Sequence, residues 1–255
     1  MKVVLFCGGA GTRMGESMTV PKPLVPIGNR PLLWHLVRYY GHFGHDEFIL
    51  CVGRGADLIK QFFEKYFEAR VKDVWVTNGA TVEVLEDFAN RKVSLVHTGM
   101  TSSVVQRLCA VAEVLDGDEM FLANYSDGLT DLDLSEYVDE FTTTDAVGSF
   151  LAVHPSQSFH AAVVDDEGAV VDIRPASEAD IRINGGFFVF RNAIFDYIHD
   201  GDDLVDAPFQ RLIAERRLRA HQFDGFWACM DTYKDKLTFD ALYEQGQTPW
   251  MVWKL

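Results

Sequence analysis

Segments typical of buried strands alternate with segments typical of helices along the first half of this chain, and this alternation restricts its fold more than any other feature. The strand-like segments are short apolar runs, whereas the segments between them carry apolar residues at helical spacing. Parallel strands need a long crossover, usually a helix, so the alternation predicts a doubly wound, mostly parallel sheet of the α/β class. The predicted strands are residues 3–7, 47–52, 92–98 and 119–125, and the predicted helices begin at Pro31 and span residues 56–67 and 104–115.

A glycine-rich turn follows the first predicted strand. Gly8, Gly9 and Gly11 lie in it, and Thr12 and Arg13 close it. Glycine has no Cβ, so backbone N–H groups at such positions can approach a phosphate closely. The arginine adds a cation suited to phosphate oxygens. The turn therefore predicts a loop that binds a nucleotide.

The turn matches neither of the two commonest phosphate-binding motifs. The dinucleotide motif needs a glycine where this chain has Met14, and the P-loop needs a Gly-Lys-Ser/Thr that is missing. On its own, the turn is equally typical of a tight connection between a strand and a helix. Lys22, which stands between Pro21 and Pro23, supplies a second cation and favours the nucleotide-binding interpretation.

The pattern changes after about residue 145, where short strands separated by polar turns follow one another and Glu167-Gly168 predicts a hairpin. No proline- or glycine-rich linker interrupts the chain. We expect one domain of residues 1–255, with a nucleotide-binding half (1–145) and a more antiparallel substrate-facing half (146–255). The predicted strands here are residues 146–153, 161–165, 169–173 and 185–190, and the predicted helices are residues 206–217 and 232–244.

The net charge of −15 argues against binding to nucleic acid or to an anionic membrane. An anionic substrate must then be attracted by local cations and a metal ion. The four cysteines show no C-x-x-C spacing, which favours free thiols in a reducing compartment over a zinc or redox site. The apolar runs are too short for a signal peptide or for a membrane helix of ~18 residues, so we expect a cytoplasmic protein.

Four aspartates are candidates for metal binding or helix capping. Asp127 follows a predicted strand and precedes Gly128, which suits Mg²⁺ beside phosphates, although an ordinary turn aspartate fits as well. Asp231 is a candidate second carboxylate on the same metal, or the N-cap of the helix that begins near Thr232. Asp131-Leu132-Asp133 resembles the D-x-D metal motif of glycosyltransferases. Because so short a pattern is common, we favour a surface turn or a helix N-cap for these residues.

An amide and two glycines precede a later strand. Asn184 and Gly185 are suited to hydrogen-bonding a sugar hydroxyl, and a β-bulge is the alternative. His35 lies in an apolar helix and is expected to pack in the core. We find no nucleophile motif, so the chemistry is expected to need none.

Taken together, these motifs resemble those of the sugar-1-phosphate nucleotidyltransferases. The resemblance extends over essentially the whole chain and implies a Rossmann-like, GT-A-like fold with a smaller antiparallel substrate-facing part. Details such as Leu33-Trp34-His35 and Gly225-Phe226-Trp227 are most similar to the branch that uses CTP and glucose 1-phosphate. The motifs that carry the resemblance are residues 8–13, 21–23, 125–128, 184–186 and 230–232.

The resemblance implies an NTP, with CTP favoured, and a sugar 1-phosphate as substrates, Mg²⁺ as cofactor, and a homo-oligomer. It implies catalytic roles for Arg13, Lys22 and Asp127, and a metal site at Asp127 and Asp231. The nucleotide-binding residues that it implies are Phe6, Gly8, Gly9, Gly11, Thr12, Arg13, Lys22, Ser103 and Arg107. The sugar-phosphate-binding residues that it implies are Tyr125, Arg174, Asn184 and Gly185.

The sequence departs from the family pattern mainly where the sugar and the base are expected. Arg174 stands where the family has the lysine of Glu-Lys-Pro, Ser126 replaces the first glycine of Gly-Asp-Gly, and residues 104–107 lack the two glycines of Thr-Gly-Gly-Arg. Residues 205–208 also lack the family's Glu-Gln-Glu acids. We therefore expect nucleotidyl transfer with an altered choice of substrate. A glycosyltransferase that uses Asp131 and Asp133, or a non-catalytic sensor, remains the alternative.

Overall fold

The computed structural model describes residues 1–9, 20–77, 79–86, 91–155 and 159–254, and it describes Trp75 and Glu86 by their backbone alone. The strands of its large sheet are β1 (Lys2–Phe6), β4 (Glu47–Val52), β5 (Arg70–Thr77), β6 (Ala80–Glu86), β7 (Lys92–His97), β8 (Met120–Tyr125), β10 (Gly148–Val153), β13 (Ile183–Asn184), β14 (Phe188–Arg191) and β15 (Leu218–Phe223). The strands of the smaller pairs are β2 (Pro26–Ile27), β3 (Arg30–Pro31), β9 (Gly128–Thr130), β11 (His160–Val164), β12 (Val170–Pro175) and β16 (Trp227–Cys229). The helices are α1 (Leu32–His42), α2 (Ala56–Tyr66), α3 (Val104–Ala110), α4 (Leu134–Thr142), α5 (Ala207–Ala214) and α6 (Tyr233–Glu244).

The centre of the large sheet is parallel. β8, β1, β4 and β7 lie side by side in that order, with β1 parallel to both of its neighbours. β6 and β5 add antiparallel strands at one side, and β14, β10 and β13 add antiparallel strands at the other. The predicted mixed α/β sheet is thereby confirmed, and the strands of the second half continue the sheet of the first.

Both faces of β1 are buried, which explains its uninterrupted apolar sequence. Val3 and Leu5 pack in the core beneath α1 and α2, whereas Val4 and Phe6 pack in the core beneath α3 and α5. None of these four side chains is more than 7% exposed. Because a shift by one residue would exchange the two faces, the register of β1 is fixed, and so is the point where the chain leaves the sheet.

The predicted strand 185–190 is wrong in its first half. β13 ends at Asn184 and β14 begins at Phe188, and Gly186 and Phe187 between them have φ values of +75° and +48°. The Asn184 Oδ1 accepts a hydrogen bond from Gly186 N at 2.9 Å, and the Asn124 Oδ1 accepts one from Phe187 N at 3.0 Å. These side-chain acceptors replace ladder bonds, so the backbone can leave the strand geometry without burying an unpaired N–H.

Two other expectations need correction. The predicted helix 206–217 ends as α5 at Ala214, because Arg216 takes a left-handed φ of +59° and the chain turns into β15. The predicted helix 104–115 is α3 followed by a separate 3₁₀ turn at Ala112–Leu115. The hairpin of β5 and β6, the edge strand β15 and the helix α4 were not predicted.

Candidate functional site

A cavity of about 440 Å³ lies where β1 and β8 end. Phe6 and Tyr125, the last residues of these two parallel strands, are paired in register, so the chain leaves both strands at the same edge of the sheet. The Ser126 hydroxyl donates to Phe6 O at 2.8 Å and ties the two exits together. Ligands of open α/β sheets bind at this edge. The lining residues are Phe6, Cys7, Gly9, Lys22, Pro23, Ser102, Ser103, Val104, Arg107, Tyr125, Ser126, Asp127, Asp203 and Asp231.

Lys22 lies between two carboxylates in this cavity. Its Nζ donates to Asp127 Oδ2 at 2.8 Å and to Asp231 Oδ1 at 2.5 Å. The three residues, here called the Lys22 cluster, come from segments more than 100 residues apart, since Lys22 and Asp127 are separated by 105 positions and Lys22 and Asp231 by 209. The predicted proximity of Asp127 and Asp231 is thus observed in the fold.

A short antiparallel pair brings the two carboxylates together. Gly128 of β9 is paired with Cys229 of β16, and Met230 N donates to Asp127 O at 2.8 Å. Asp127 precedes β9 and Asp231 follows β16, so both lie at the same end of the pair. The side chain of Asp231 is used in the cluster rather than as a helix cap. The N-cap of α6 is Thr232, which forms a capping box with Asp235.

The charges of the cluster are largely removed from water. The Lys22 side chain is 17% exposed, and the side chains of Asp127 and Asp231 are 28% and 36% exposed. Burial lowers the pKa of Lys22, but the charge and hydrogen bonds of Asp127 and Asp231 raise it, and the net pKa lies above its ordinary value. Lys22 is therefore cationic at neutral pH.

The cluster fits a divalent cation held by oxygen ligands. Two carboxylates already converge on one positive charge, and carboxylate oxygens are the ligands that Mg²⁺ prefers. Over residues 1–9, 20–77, 79–86, 91–155 and 159–254 we find no group of three or more His, Cys, Asp or Glu side chains that could hold a metal ion. Mg²⁺ bound by Asp127 and Asp231 would then take its other ligands from phosphate and water, as Mg²⁺ sites with nucleotides commonly do.

Arg107 packs against Gly8, the first glycine of the glycine-rich segment. Its Nη2 donates to Gly8 O at 2.9 Å and its Nη1 donates to Thr98 Oγ1 at 2.6 Å. A Cβ on Gly8 would overlap this guanidinium, whereas a Cβ on Gly9 would meet nothing within 4 Å. Gly8 is therefore required by close packing against an arginine. The side chain of Arg107 is only 4% exposed, and burial lowers its pKa.

The N-terminus of α3 forms another wall. Ser103 is its N-cap, with Oγ accepting from Gln106 N at 3.2 Å, while Gln106 Oε1 accepts from Ser103 N at 2.8 Å. The Val104-Val105 departure from the family glycines thus lies within a regular, capped helix. Ser103 lines the cavity as predicted, and its hydroxyl is already used in the cap.

The predicted sugar-phosphate residues are divided between two places. Tyr125 lines the cavity, whereas Asn184, Gly185 and Arg174 do not. Asn184 uses its side-chain oxygen for Gly186 N, and Gly185 O accepts from Trp227 Nε1 at 2.9 Å. Arg174 lies on β12, where its Nε donates to Asp172 Oδ2 at 2.6 Å and its side chain is 52% exposed.

Gly11, Thr12 and Arg13 lie outside the described residues, which resume at Val20. Phe6, Gly9, Lys22, Ser103, Arg107, Tyr125, Asp127 and Asp231 line the cavity together, and Gly8 is the immediate neighbour of this set.

Six lining residues were not among the predicted site residues, namely Cys7, Pro23, Ser102, Val104, Ser126 and Asp203. Asp203 reaches the cavity from the segment before α5, and burial, Asp127 and Asp203 together raise the pKa of Tyr125 to about 12. The acidic run Asp202-Asp203 was the available signal. Cys7 also lines the cavity, but burial raises the pKa of its thiol to about 12, so it stays protonated and is not a nucleophile at neutral pH.

The D-x-D pattern serves the scaffold. Asp131 Oδ1 accepts from Phe226 N at 2.7 Å, and Asp133 caps α4 by accepting from Ser135 N at 3.0 Å and Glu136 N at 3.1 Å. The prediction of a helix N-cap is confirmed for Asp133, and Asp131 lies in the connection between β9 and α4. Among the described helices, none has the length and hydrophobicity needed to cross a membrane.

Comparison with known proteins agrees with the fold. Residues 2–245 match the nucleotidyl transferase family. A Salmonella typhi protein named glucose-1-phosphate cytidylyltransferase is 36% identical over 261 residues, covering 100% of both chains. A Bacillus subtilis (strain 168) protein named as a probable glucose-1-phosphate cytidylyltransferase is 33% identical, covering 99% of this chain and 100% of its own.

A solved structure, HddC from Yersinia pseudotuberculosis complexed with GMP-PN, shares the fold. Its TM-score is 0.63 at 18% identity, over 95% of this chain and 99% of that one. The chain therefore belongs to the nucleotidyl transferase family, and the full-length relatives named above are sugar-1-phosphate nucleotidyltransferases of the cytidylyltransferase type.

Proposed function

We propose that this chain transfers CMP from CTP to glucose 1-phosphate, giving CDP-glucose and pyrophosphate, with Mg²⁺ as cofactor. The observation that carries the proposal is the Lys22 cluster, in which one partly buried cation and two carboxylates converge in a cavity at the carboxyl ends of β1 and β8. The choice of CTP and glucose 1-phosphate is supported by the names of the two full-length relatives.

The reaction exchanges one phosphoanhydride bond at the α-phosphorus for another. An oxygen of the sugar phosphate attacks the α-phosphorus of the NTP, the new P–O bond forms, and the bond to the β-phosphate breaks with release of pyrophosphate. No protein nucleophile is needed, in agreement with the protonated thiol of Cys7. The protein contributes by positioning the two phosphates and neutralising their charge.

Residues of the cavity, together with residues predicted from the glycine-rich motif, have parts in that positioning. Asp127 and Asp231 would hold Mg²⁺, which when bound neutralises phosphate charge and orients the oxygens. Lys22, whose Nζ contacts both carboxylates, would supply positive charge to the attacking phosphate and the α-phosphate. Arg107 donates a hydrogen bond to the carbonyl of Gly8 and would hold this end of the glycine-rich segment beside the nucleotide. Arg13 is proposed to bind the β- and γ-phosphates, with Gly11 and Thr12 beside it in the loop.

The substrate proposal is tested by measuring pyrophosphate release for each of four NTPs with several sugar 1-phosphates, in Mg²⁺ and in EDTA. We expect release with CTP and glucose 1-phosphate to exceed every other pair and to disappear in EDTA. Release only with another pair would contradict the substrates and leave the chemistry intact. No release with any pair, from a protein that still binds nucleotide, would contradict the proposed reaction.

A further inference from the structure

A second cavity, of about 290 Å³, lies between α4 and β15 with part of β10 at its base. It shares none of its lining residues with the cavity of the Lys22 cluster. Its volume equals roughly ten times the ~30 Å³ that a water molecule takes in the liquid, and it lies near the lower end of ligand pockets. The lining residues are Tyr137, Glu140, Phe141, Thr143, Thr144, Ser149, Arg219, Ala220 and His221.

Buried hydroxyls form the inner part of this cavity. Tyr137 and Ser149 are 1% and 2% exposed. Among the described residues the Tyr137 hydroxyl has no hydrogen-bond partner of regular geometry, although Ser149 lies beside it. A buried hydroxyl without a hydrogen-bond partner is unfavourable, because it has lost its hydrogen bonds to water. Its ring is held in place against His221, with the centroids 4.7 Å apart, so the hydroxyl has little freedom to find another partner.

Charged groups of both signs form the outer part. Glu140 Oε2 lies 2.6 Å from His221 Nδ1. Arg219 is exposed, and its side chain forms no ion pair or hydrogen bond with another described residue. The Thr143 hydroxyl donates to Glu140 O at 2.7 Å, so its oxygen is left as an acceptor.

This combination distinguishes between classes of ligand. A phosphate site would show an excess of cations, but here the carboxylate of Glu140 balances Arg219 and the whole chain carries a charge of −15. A guanidinium and a carboxylate are both planar groups that hydrogen-bond two neighbouring hydroxyls, one as donor and one as acceptor. The hydroxyls of Tyr137 and Ser149 at the base can each donate and accept a hydrogen bond. With Arg219 as donor and Glu140 as acceptor, the cavity offers both kinds of partner that ligand hydroxyls need.

We propose that this cavity is a binding site for a neutral polyol of monosaccharide size, separate from the site of nucleotidyl transfer. The ligand places one hydroxyl against Tyr137 and Ser149 and a pair of hydroxyls between Arg219 and Glu140. Binding satisfies the Tyr137 hydroxyl, which the protein alone leaves without a regular partner.

The experiment is a calorimetric titration of the full chain with D-glucose and, separately, with inorganic phosphate. The test variants are Tyr137→Phe, which removes only the buried hydroxyl, and Arg219→Gln at the rim. Because the hydroxyl has no regular partner, Tyr137→Phe should not lower the melting temperature. The matched controls are Arg38→Gln, at an exposed arginine of α1, and Asp127→Asn in the other cavity.

We expect the wild type and both controls to bind glucose equally and each test variant to bind it at least about fivefold more weakly, which corresponds to about 1 kcal/mol for one lost hydrogen bond. Glucose binding that Tyr137→Phe and Arg219→Gln leave unchanged, or no glucose binding at all, would overturn the site. Binding of phosphate but not glucose, lost in Arg219→Gln, would overturn the polyol and make this an anion site. Since Asp127→Asn leaves this cavity untouched, the outcome does not depend on the proposed reaction.

Discussion

The Lys22 cluster and the β11–β12 ribbon were both singled out by short motifs, yet the fold treats them differently. In the cluster, side chains more than 100 positions apart meet at 2.5–2.8 Å. In the ribbon, Arg174 bonds to Asp172, two positions away on the same strand. The ribbon is paired only within itself, and Val170 and Ile173 on it are 62% and 64% exposed.

The difference shows what fixes a functional side chain in this fold. Asp127 follows β8, whose register with β1 is fixed by side chains buried on both faces. Arg174 has no such support, because neither strand of its ribbon contributes to the core clusters. A motif therefore predicts the location of its side chains well when it follows a buried strand. It predicts that location poorly when it lies on an isolated ribbon.

The largest effect is expected from Asp127→Asn, which removes one charge from the supported region. We expect kcat/KM for pyrophosphate release to fall by a factor of about 1,000, as when a central charge-stabilising group is lost. Asp133→Asn is the matched control, because asparagine caps a helix as well as aspartate does. Equal activity of Asp127→Asn and the control would show that convergence in the fold does not identify the metal ligands.

Lys22→Met should act in opposite directions on activity and on metal affinity. Without its ammonium, Asp127 and Asp231 face each other unneutralised, so Mn²⁺ binding to the nucleotide-free protein should tighten about tenfold. Activity should fall about 100-fold, because a phosphate-positioning cation is lost. Electron paramagnetic resonance of free Mn²⁺ measures the affinity, and a weaker affinity in the variant would contradict the observed geometry of the cluster.

Arg107→Lys tests how firmly the supported region holds the glycine turn. Lysine cannot reach Gly8 O and Thr98 Oγ1 with two donors at once, so we expect the free energy of unfolding to drop by about 2 kcal/mol. Denaturant titration measures it, beside Arg38→Lys as the exposed control. A loss as small as that of the control would mean that the buried guanidinium does not stabilise the turn.

Arg174→Gln tests the unsupported region. If substrate draws the ribbon toward the cavity, the KM for the sugar 1-phosphate should rise about tenfold, or about 1.4 kcal/mol, with the Kd of the nucleotide unchanged. Asp172→Asn removes the local ion pair but keeps the cation, and should leave KM within about twofold. An unaltered KM in Arg174→Gln would remove this residue from the site and sharpen the contrast with the cluster.

The smallest effect concerns the salt bridge that joins α2 to β6, an antiparallel strand of the large sheet. Lys60 donates a hydrogen bond to Glu83, and His97 Nε2 lies 3.1 Å from the same carboxylate. The hydrogen bond from Lys60 lowers the pKa of Glu83 below its ordinary value. A carboxyl whose folded-state pKa is depressed stabilises the fold above its unfolded pKa and loses that contribution as pH falls through the lower, folded value.

Glu83→Gln should therefore lower the free energy of unfolding by about 0.5 kcal/mol at pH 7 and by almost nothing near pH 3. Unfolding titrations at the two pH values measure the difference, with Glu47→Gln, at the looser exposed pair with Lys92, as control. A loss of equal size at both pH values would assign the effect to packing instead of charge.

The sequence predicted the parts of the fold that depend on local patterns. The alternation of apolar runs placed β1, β4, β7 and β8, and the strand end before Asp127 placed a carboxylate at the correct edge. The strand β15 was missed because His221, Arg219 and Gln222 interrupt its apolar pattern and the preceding helix pattern runs into it. The break at Gly186 and Phe187 depends on the amide of Asn124, which no local pattern contains.

The site was predicted where motifs coincide with strand ends and missed where contacts are long-range. Asp231 was assigned to the metal only through the resemblance, since its neighbours favoured a helix cap. Lys22 lies between two carboxylates, and Asp203 lines the cavity, because of how β9, β16 and the segment before α5 pack together. Local sequence patterns do not contain this tertiary packing.

The position of Lys22 has a consequence for how the protein folds in the absence of a metal ion. Because its ammonium neutralises Asp127 and Asp231, two partly buried carboxylates do not repel each other in the newly folded chain. Structural zinc domains, by contrast, remain unfolded until their ion arrives. We therefore expect this chain to fold without Mg²⁺. If the proposed reaction depends on Mg²⁺, a chelator would stop turnover without releasing an unfolded, protease-sensitive polypeptide.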